Sequence, residues 1–177
     1  MWVLGLCALA SGCDLLDPAG FDREHRLVLV IDRAPGPFGH VTWHADYQGT
    51  SCLVGERTLA LPFTRLSEQQ YEATVPPSPP AAAGGPGEGD RCRWRLVSTS
   101  ARFAATATEG DEVFEARLSA EQLAREKPVV LYYWRGTYPR MPGAIITRSL
   151  GEPDRQVFRP EFQNQLFTIT LTPRAAP

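Results

Sequence analysis

The most regular feature of the chain is a series of short runs in which apolar and polar residues alternate. In residues 41–47, for example, Trp43 and Ala45 alternate with His44 and Asp46. A period of two places successive side chains on opposite faces of a β-strand. Such runs, bounded by turn residues, predict strands at 27–31, 41–47, 59–66, 71–75, 93–100, 102–108, 113–118, 129–134 and 166–171. About nine strands with one short helix predict a mainly β fold, a β-sandwich or a closely related barrel.

The helix is predicted at residues 120–127. Ser119 precedes it and Gln122 follows three residues later, the spacing of a capping box in which both side chains satisfy backbone groups of the first turn. Pro128 then ends the helix because it cannot continue the hydrogen-bond pattern. We expect this helix to connect two strands.

Residues 76–90, with the sequence PPSPPAAAGGPGEGD, differ in composition from the rest of the chain. Prolines lack the backbone N–H donor, and glycines raise the conformational entropy of the chain. The composition of this segment therefore predicts a long loop. Because alternation continues on both sides, residues 25–174 are predicted to form one β-sandwich domain that contains this loop. A proline-rich recognition segment is the alternative interpretation.

The first twelve residues have the pattern of a secretory signal, an apolar run followed by small residues and then Cys13. The sequence LASGC resembles the bacterial lipobox, which implies cleavage before Cys13 and lipidation of its thiol. Residues 13–24 are then a lipid-anchored tether, and the domain faces the periplasm at the cell envelope. No Lys or Arg precedes Cys13, so the alternative is a core strand with two buried thiols. The choice between inner and outer membrane stays open.

Charge and cysteine content narrow the function further. A net charge of -2 argues against a nucleic-acid partner, because such proteins carry a strongly basic surface. If Cys7 leaves with the signal and Cys13 carries lipid, Cys52 and Cys92 remain of the four cysteines. In an oxidising compartment these two predict a disulfide.

The polar residues do not form a recognisable catalytic or metal site. His40 and His44 have HxxxH spacing, but on a strand they are about 13 Å apart at roughly 3.3 Å per residue, too far for one ion. His44 and Asp46 share a strand face, and two groups make a poor metal site. No GxSxG, SxxK or phosphate-binding glycine loop is present. We therefore predict a protein that is not an enzyme, with no metal and no cofactor.

Two clusters have the composition of a protein-binding surface. In RCRWRL the arginines fall on one side of a strand and Cys92, Trp94 and Leu96 on the other, which suits an acidic partner or a charged outer face equally. In LYYWRGTYPRM aromatic residues and arginines crowd the end of a strand, and these residue types dominate binding hot spots. The predicted partner-binding residues are Arg93, Arg95, Tyr132, Trp134, Arg135, Tyr138 and Arg140.

The lipobox, together with HADYQGTSC, CRWRLVSTSARF, LYYWRGTYPR and FRPEFQNQLFTITL, resembles small lipoproteins of Gram-negative bacteria, some of them associated with type VI secretion phospholipase effectors. The resemblance implies a periplasmic immunity protein that binds and neutralises a secreted lipase. The insert at 76–90 departs from the pattern. An envelope or secretion-machinery lipoprotein that docks an assembly partner is the first alternative, and a periplasmic hydrolase is the second.

Overall fold

Alternating apolar and polar residues form ten β-strands in the computed structural model, which describes residues 23–50, 55–80, 93–140, 143 and 148–176. One α-helix, α1 (Ala120–Ala124), and three 3₁₀ turns (Arg135–Thr137, Arg155–Val157 and Pro160–Gln165) complete the described elements. The strands are β1 (His25–Asp32), β2 (His40–Gly49), β3 (Glu56–Ala60), β4 (Phe63–Arg65), β5 (Gln70–Val75), β6 (Trp94–Ala104), β7 (Val113–Ser119), β8 (Val129–Trp134), β9 (Arg148–Ser149) and β10 (Leu166–Ala175).

The strands make two five-stranded sheets. The first sheet has the order β4-β5-β1-β10-β8 and the second has the order β3-β2-β6-β7-β9. All neighbours are antiparallel except β7 and β9, which are parallel. The inner faces of both sheets contribute to one buried cluster. The predicted mainly β fold, a β-sandwich, is confirmed.

Aromatic side chains fill the space between the sheets. Phe38, Phe103, Phe114, Tyr133 and Phe167 are all buried, and their rings meet mostly edge to face at centroid distances between 5.0 and 6.2 Å. There are two exceptions: Tyr133 stacks on Phe167 at 5.1 Å, and the rings of Phe38 and Phe167 are tilted by 41°. Edge-to-face and stacked rings add stabilisation beyond their buried area.

Strand β6 corrects the prediction of two separate strands at 93–100 and 102–108. It is one continuous strand of eleven residues with a bulge: Leu96 pairs with Tyr47 and Ser98 pairs with Asp46, so Val97 is an extra residue. A bulge shifts the phase of alternation by one position. The core-facing residues therefore change from even to odd numbers, from Leu96 to Thr99, which breaks the period of two in the sequence.

The predicted strand at 59–66 is two strands, β3 and β4, which belong to different sheets. Leu61 and Pro62 lie between them, and the Leu61 N–H donates to the Trp43 carbonyl at 2.8 Å. Pro62 has no N–H to give to a strand ladder. The chain therefore turns the corner of the sandwich at this point.

The capping box of α1 is present as predicted. The Gln122 N–H donates to the Ser119 hydroxyl at 3.2 Å, and the Ser119 N–H donates to the Gln122 side-chain oxygen at 2.9 Å. The helix ends at Ala124, earlier than the predicted residue 127, and Glu126 has a positive φ of 51°. A left-handed residue ends a helix before any downstream proline can do so.

A short segment, residues 148–152, joins the edges of the two sheets on the other side of the sandwich. Arg148 and Ser149 pair with β7 of the second sheet, and Glu152 pairs with Tyr132 of β8 in the first sheet. The Ser149 hydroxyl also donates to the buried Glu112 carboxylate at 2.6 Å, while burial raises the pKa of Glu112. This segment therefore connects the two sheets at one edge of the sandwich.

Several predictions concern residues outside the described part of the chain. These are the signal at 1–12, lipidation of Cys13, the Cys52 to Cys92 disulfide, most of the tether and most of the loop at 76–90. Among the described residues, none of the helices has the length and apolar character needed to cross a bilayer.

Candidate binding surface

The outer face of the second sheet carries a row of arginines. Alternation turns Phe114 and Ala116 toward the core and turns Glu115 and Arg117 outward, and the register places Glu115 directly beside Arg102 of β6. We call the surface formed by Arg93, Arg95, Arg102, Arg117 and Arg148 the arginine face. Only the first two of these residues were predicted from the sequence to bind a partner.

Glu115 holds two of the arginines. Its side chain is 1% exposed, the Arg102 Nε donates to its carboxylate at 2.9 Å, and Arg148 forms an ion pair with the same oxygen. The side chains of Arg102 and Arg148 remain 42% and 47% exposed. Pairing with cationic donors offsets the cost of burying a carboxylate. The two guanidinium groups are thus fixed on one side and open to solvent on the other.

The Glu115 backbone also connects this face to the core. The Tyr133 hydroxyl, on the opposite sheet, donates to the Glu115 carbonyl at 2.8 Å. Burial raises the pKa of Tyr133, and the nearby charge of Glu115 raises it further. The strand that carries Glu115 is therefore held in position from both sides.

Asp46 holds a third arginine. Its carboxylate accepts hydrogen bonds from Thr58 at 2.8 Å and Ser98 at 3.0 Å, and it lies 3.5 Å from Arg117. Arg117 also donates to the Ser98 hydroxyl at 2.8 Å, and its side chain is 52% exposed. The sequence indicates only that Asp46 is close to His44. In the structure its carboxylate contacts side chains of three other strands, β3, β6 and β7.

The bulge on β6 turns Val97 out into this polar surface. Val97 is 39% exposed and lines two adjoining clefts. One cleft, of about 290 Å³, is lined by Arg95, Leu96, Val97, Ser119, Ala120 and Glu121. The other, of about 450 Å³, is lined by Asp46, Tyr47, Gln48, Glu56, Arg57, Thr58, Val97 and Arg117. Bulges commonly redirect a side chain at a functional surface.

Within the predicted arginine cluster, residues 93–96 have the arrangement that alternation indicated, and Arg91 and Cys92 lie outside the described residues. Arg93 and Arg95 are exposed, Leu96 is buried, and Trp94 is partly buried against the core. The three remaining arginines of the face were missed because their positions depend on the register between strands. One signal in the sequence could have located Arg117: it and Glu115 alternate with the buried residues of β7.

The predicted aromatic cluster lies elsewhere. Tyr132 and Trp134 are on β8, the edge strand of the first sheet, where their neighbours alternate into the core. The Trp134 ring packs against Phe162 at 4.9 Å. The structure therefore places Tyr132 and Trp134 on the opposite side of the sandwich from Arg93 and Arg95, and the two clusters do not form one continuous surface.

Side chains of residues 135–140 form hydrogen bonds with two loops of the same chain. Arg135 donates to the Arg33 carbonyl at 3.1 Å, and the Tyr138 hydroxyl donates to the Pro37 carbonyl at 2.6 Å. Arg140 donates to the Glu109 carbonyl and pairs with Asp111 at 3.1 Å. The hydrogen bond from the Thr106 hydroxyl lowers the pKa of Asp111, and Arg140 lowers it further. A role in partner binding for Arg135, Tyr138 and Arg140 stays a prediction, and their visible contacts are internal.

The histidines lie where the strand interpretation placed them. His40 pairs with Ala104 and His44 pairs with Ser100, both on the outer face of the second sheet. Within the described ranges, no three His, Cys, Asp or Glu side chains lie close enough together to hold a metal ion.

Comparisons with known proteins add no name to this surface. No protein-family model, no curated protein and no solved structure matches the chain.

Proposed function

We propose that this chain is a protein-binding module of the cell envelope and that its arginine face docks an acidic partner. The observation that carries the proposal is the row of exposed arginines on one face of the second sheet: Arg93 and Arg95, and the three that Asp46 and Glu115 hold in place. Such an arrangement suits recognition of carboxylates, since it presents charged donors to solvent.

Preorganisation is the physical reason why this face suits binding. A free arginine loses rotamer entropy when it is immobilised at an interface, at a cost of about 0.5–1.5 kcal/mol per side chain. Arg102 and Arg148 already pair with the Glu115 carboxylate, and Arg117 donates to the Ser98 hydroxyl and lies 3.5 Å from Asp46. Their planar groups retain outward N–H donors, which pair with carboxylates in a two-pronged geometry.

The resemblance to immunity lipoproteins suggests the identity of the partner. We propose a secreted antibacterial effector of the phospholipase type, which the module binds and neutralises in the periplasm. A rigid sandwich with an arginine face meets the requirements of an inhibitor without a catalytic group. Docking of an envelope or secretion-complex subunit is the alternative function.

Charge reversal on the arginine face tests the proposal. We expect Arg93→Glu combined with Arg95→Glu to weaken partner binding at least about 100-fold, because arginines at interfaces are frequent hot spots and like charges repel. The matched control is Arg159→Glu combined with Arg174→Glu, the same charge change at two exposed positions outside the face. The full chain serves as bait for whole-cell lysate, mass spectrometry identifies retained proteins, and calorimetry gives the dissociation constants.

The outcome decides between the candidates. A retained lipase whose binding depends on Arg93 and Arg95 supports the immunity function, and a retained envelope subunit with the same dependence supports the assembly function. If both double variants bind the partner as tightly as the parent chain, the arginine face is not the docking site.

Lipidation of Cys13 is tested independently. We expect cells that express the chain to incorporate radiolabelled palmitate into it, and Cys13→Ala to abolish the label, because the thiol is the acyl acceptor. Cys7→Ala is the matched control and should leave labelling intact. Label that persists in Cys13→Ala would refute the anchor.

A further inference from the structure

The aromatic residues at the edge of the first sheet line a cleft of about 210 Å³. We call it the aromatic cleft, and its lining includes Tyr132, Trp134, Leu150, Glu152 and Phe158. We propose that the aromatic cleft binds an arginine side chain of a protein partner between its rings and the Glu152 carboxylate. The proposal goes beyond the arginine face, because this cleft lies on the other sheet and takes a group of the opposite charge.

Strand pairing places the Glu152 carboxylate beside an aromatic side chain. The Tyr132 N–H donates to the Glu152 carbonyl at 2.8 Å, and the Glu152 N–H donates to the Tyr132 carbonyl at 2.9 Å. The two residues are therefore directly opposite each other in an antiparallel bridge. Side chains at such positions project from the same face, with Cβ atoms about 4.5–5.5 Å apart. Trp134, two residues further along β8, projects from this face as well.

The Trp134 ring is held in place by the chain itself. It packs against Phe162 at a centroid distance of 4.9 Å. The backbone also passes close to it at Gly136, where a Cβ atom would overlap the ring. A ring that is already positioned loses little conformational entropy when a ligand binds to it.

The charge of the aromatic cleft is negative. Glu152 is the one charged side chain among its described lining residues. Within the described ranges, no cationic side chain forms an ion pair with Glu152. Two hydroxyl groups of the lining donate to other groups of the chain, Thr137 to a backbone carbonyl and Ser149 to Glu112. The Glu152 carboxylate is thus the polar group that the cleft offers to a ligand.

Three arginines that are close to the cleft in sequence are bound elsewhere. Arg135 and Arg155 donate to backbone carbonyls, and Arg148 pairs with Glu115 of the second sheet. They therefore leave the negative charge of Glu152 for a cation of a partner.

An arginine side chain matches aromatic rings that lie beside a single carboxylate. Cations are attracted to the faces of Trp and Tyr rings. The guanidinium group is also planar, so it stacks on a ring and can donate two parallel hydrogen bonds to a carboxylate. The cleft is smaller than the roughly 300–1,000 Å³ of pockets for drug-sized ligands, which suits one side chain.

Two small probes test the proposal on the full chain. One is arginine with both ends blocked, and the other is blocked citrulline, which has the same shape without the charge. Nitrogen-15 NMR titrations follow the backbone amides and the indole N–H groups. We expect the arginine probe to shift the signals of Tyr132, Trp134 and Glu152 and to bind about tenfold more tightly than citrulline, because its charge strengthens both the ring and the carboxylate contacts.

Three results of these titrations would overturn the proposal. They are equal affinities of the two probes, shifts confined to other parts of the chain, and no shifts at all. Tetramethylammonium serves as a third probe, and tighter binding of this ion than of arginine would show that the cleft prefers a compact ammonium group.

Matched pairs of variants give a second readout. We expect Glu152→Gln to weaken binding of the arginine probe about tenfold, because it removes the charge that pairs with the guanidinium group. Glu68→Gln is the control and should leave binding unchanged, since Glu68 is exposed between β4 and β5 at the other edge of the same sheet. Tyr132→Leu should weaken binding about fivefold, whereas Tyr132→Phe keeps the ring and should bind normally. Equal effects within either pair would contradict the aromatic cleft.

The experiment separates this proposal from the proposed function. Arg93→Glu combined with Arg95→Glu changes the second sheet, so this double variant should bind the arginine probe as the parent chain does. Loss of probe binding in the double variant would contradict a separate cleft. Loss of partner binding alone concerns the arginine face.

Discussion

Replacing Phe167 by alanine is expected to lower the free energy of unfolding by about 3–5 kcal/mol, as removal of a buried aromatic ring does when the core cannot collapse into the space. Phe167 is fully buried and its ring meets those of Phe38, Phe114 and Tyr133. Since domains have a total stability of about 5–15 kcal/mol, this loss is a large fraction. Urea titration of the full chain, with an unchanged slope, measures it.

Phe63→Ala is the matched control for this prediction. Phe63 is 37% exposed and its ring has one aromatic neighbour, Tyr71 at 6.1 Å. We expect a loss of about 1 kcal/mol, the typical cost of a single substitution away from a packed centre. If Phe167→Ala costs no more than Phe63→Ala, the ring cluster is not the centre of the core.

Loss of a Cys52 to Cys92 disulfide is the second large effect, and we propose that this bond exists. Thr50, two residues before Cys52, lies beside Arg93, which follows Cys92: the Thr50 N–H donates to the Arg93 carbonyl at 2.8 Å, next to the pairing of Gly49 with Trp94. Closing a loop of about 40 residues stabilises a fold by roughly 4 kcal/mol in the chain-entropy model. We expect Cys52→Ser combined with Cys92→Ser to lose about that amount.

Intact mass after alkylation, with and without prior reduction, checks the bond directly. In periplasmic material, Cys52 and Cys92 should become alkylated only after reduction. The control is Cys13→Ala, in which the pair should stay protected from alkylation. Free thiols at both positions before reduction would refute the disulfide.

The strands were predictable where one face is buried and the other exposed. Residues 129–134 were predicted with the bounds that β8 has, and 113–118 with one residue missing at the end of β7. The prediction failed in β6, because the bulge at Val97 changes which residues face the core, and because Ser98 and Ser100 are buried on the outer face. The alternation of apolar and polar residues in the sequence indicates neither the bulge nor the burial of these two serines.

The binding surface was predictable only in part, for a related reason. Arg93 and Arg95 share one strand, so their common side follows from the period of two. Arg148 reaches Glu115 from a two-residue strand that pairs in parallel with β7, and no local pattern marks such a strand. Proximity that depends on pairing between distant segments cannot be deduced from one run of residues.

The joined edges of the sandwich matter for a protein that is proposed to be held at a membrane. A lipid anchor confines many copies to two dimensions, where neighbouring molecules collide far more often than in free solution. An exposed edge strand can form backbone hydrogen bonds with a strand of another copy. Here the segment 148–152 pairs with β7 and with Tyr132 of the edge strand β8, and the edge strands β3 and β4 have only five and three residues. Short edge strands limit pairing between crowded copies.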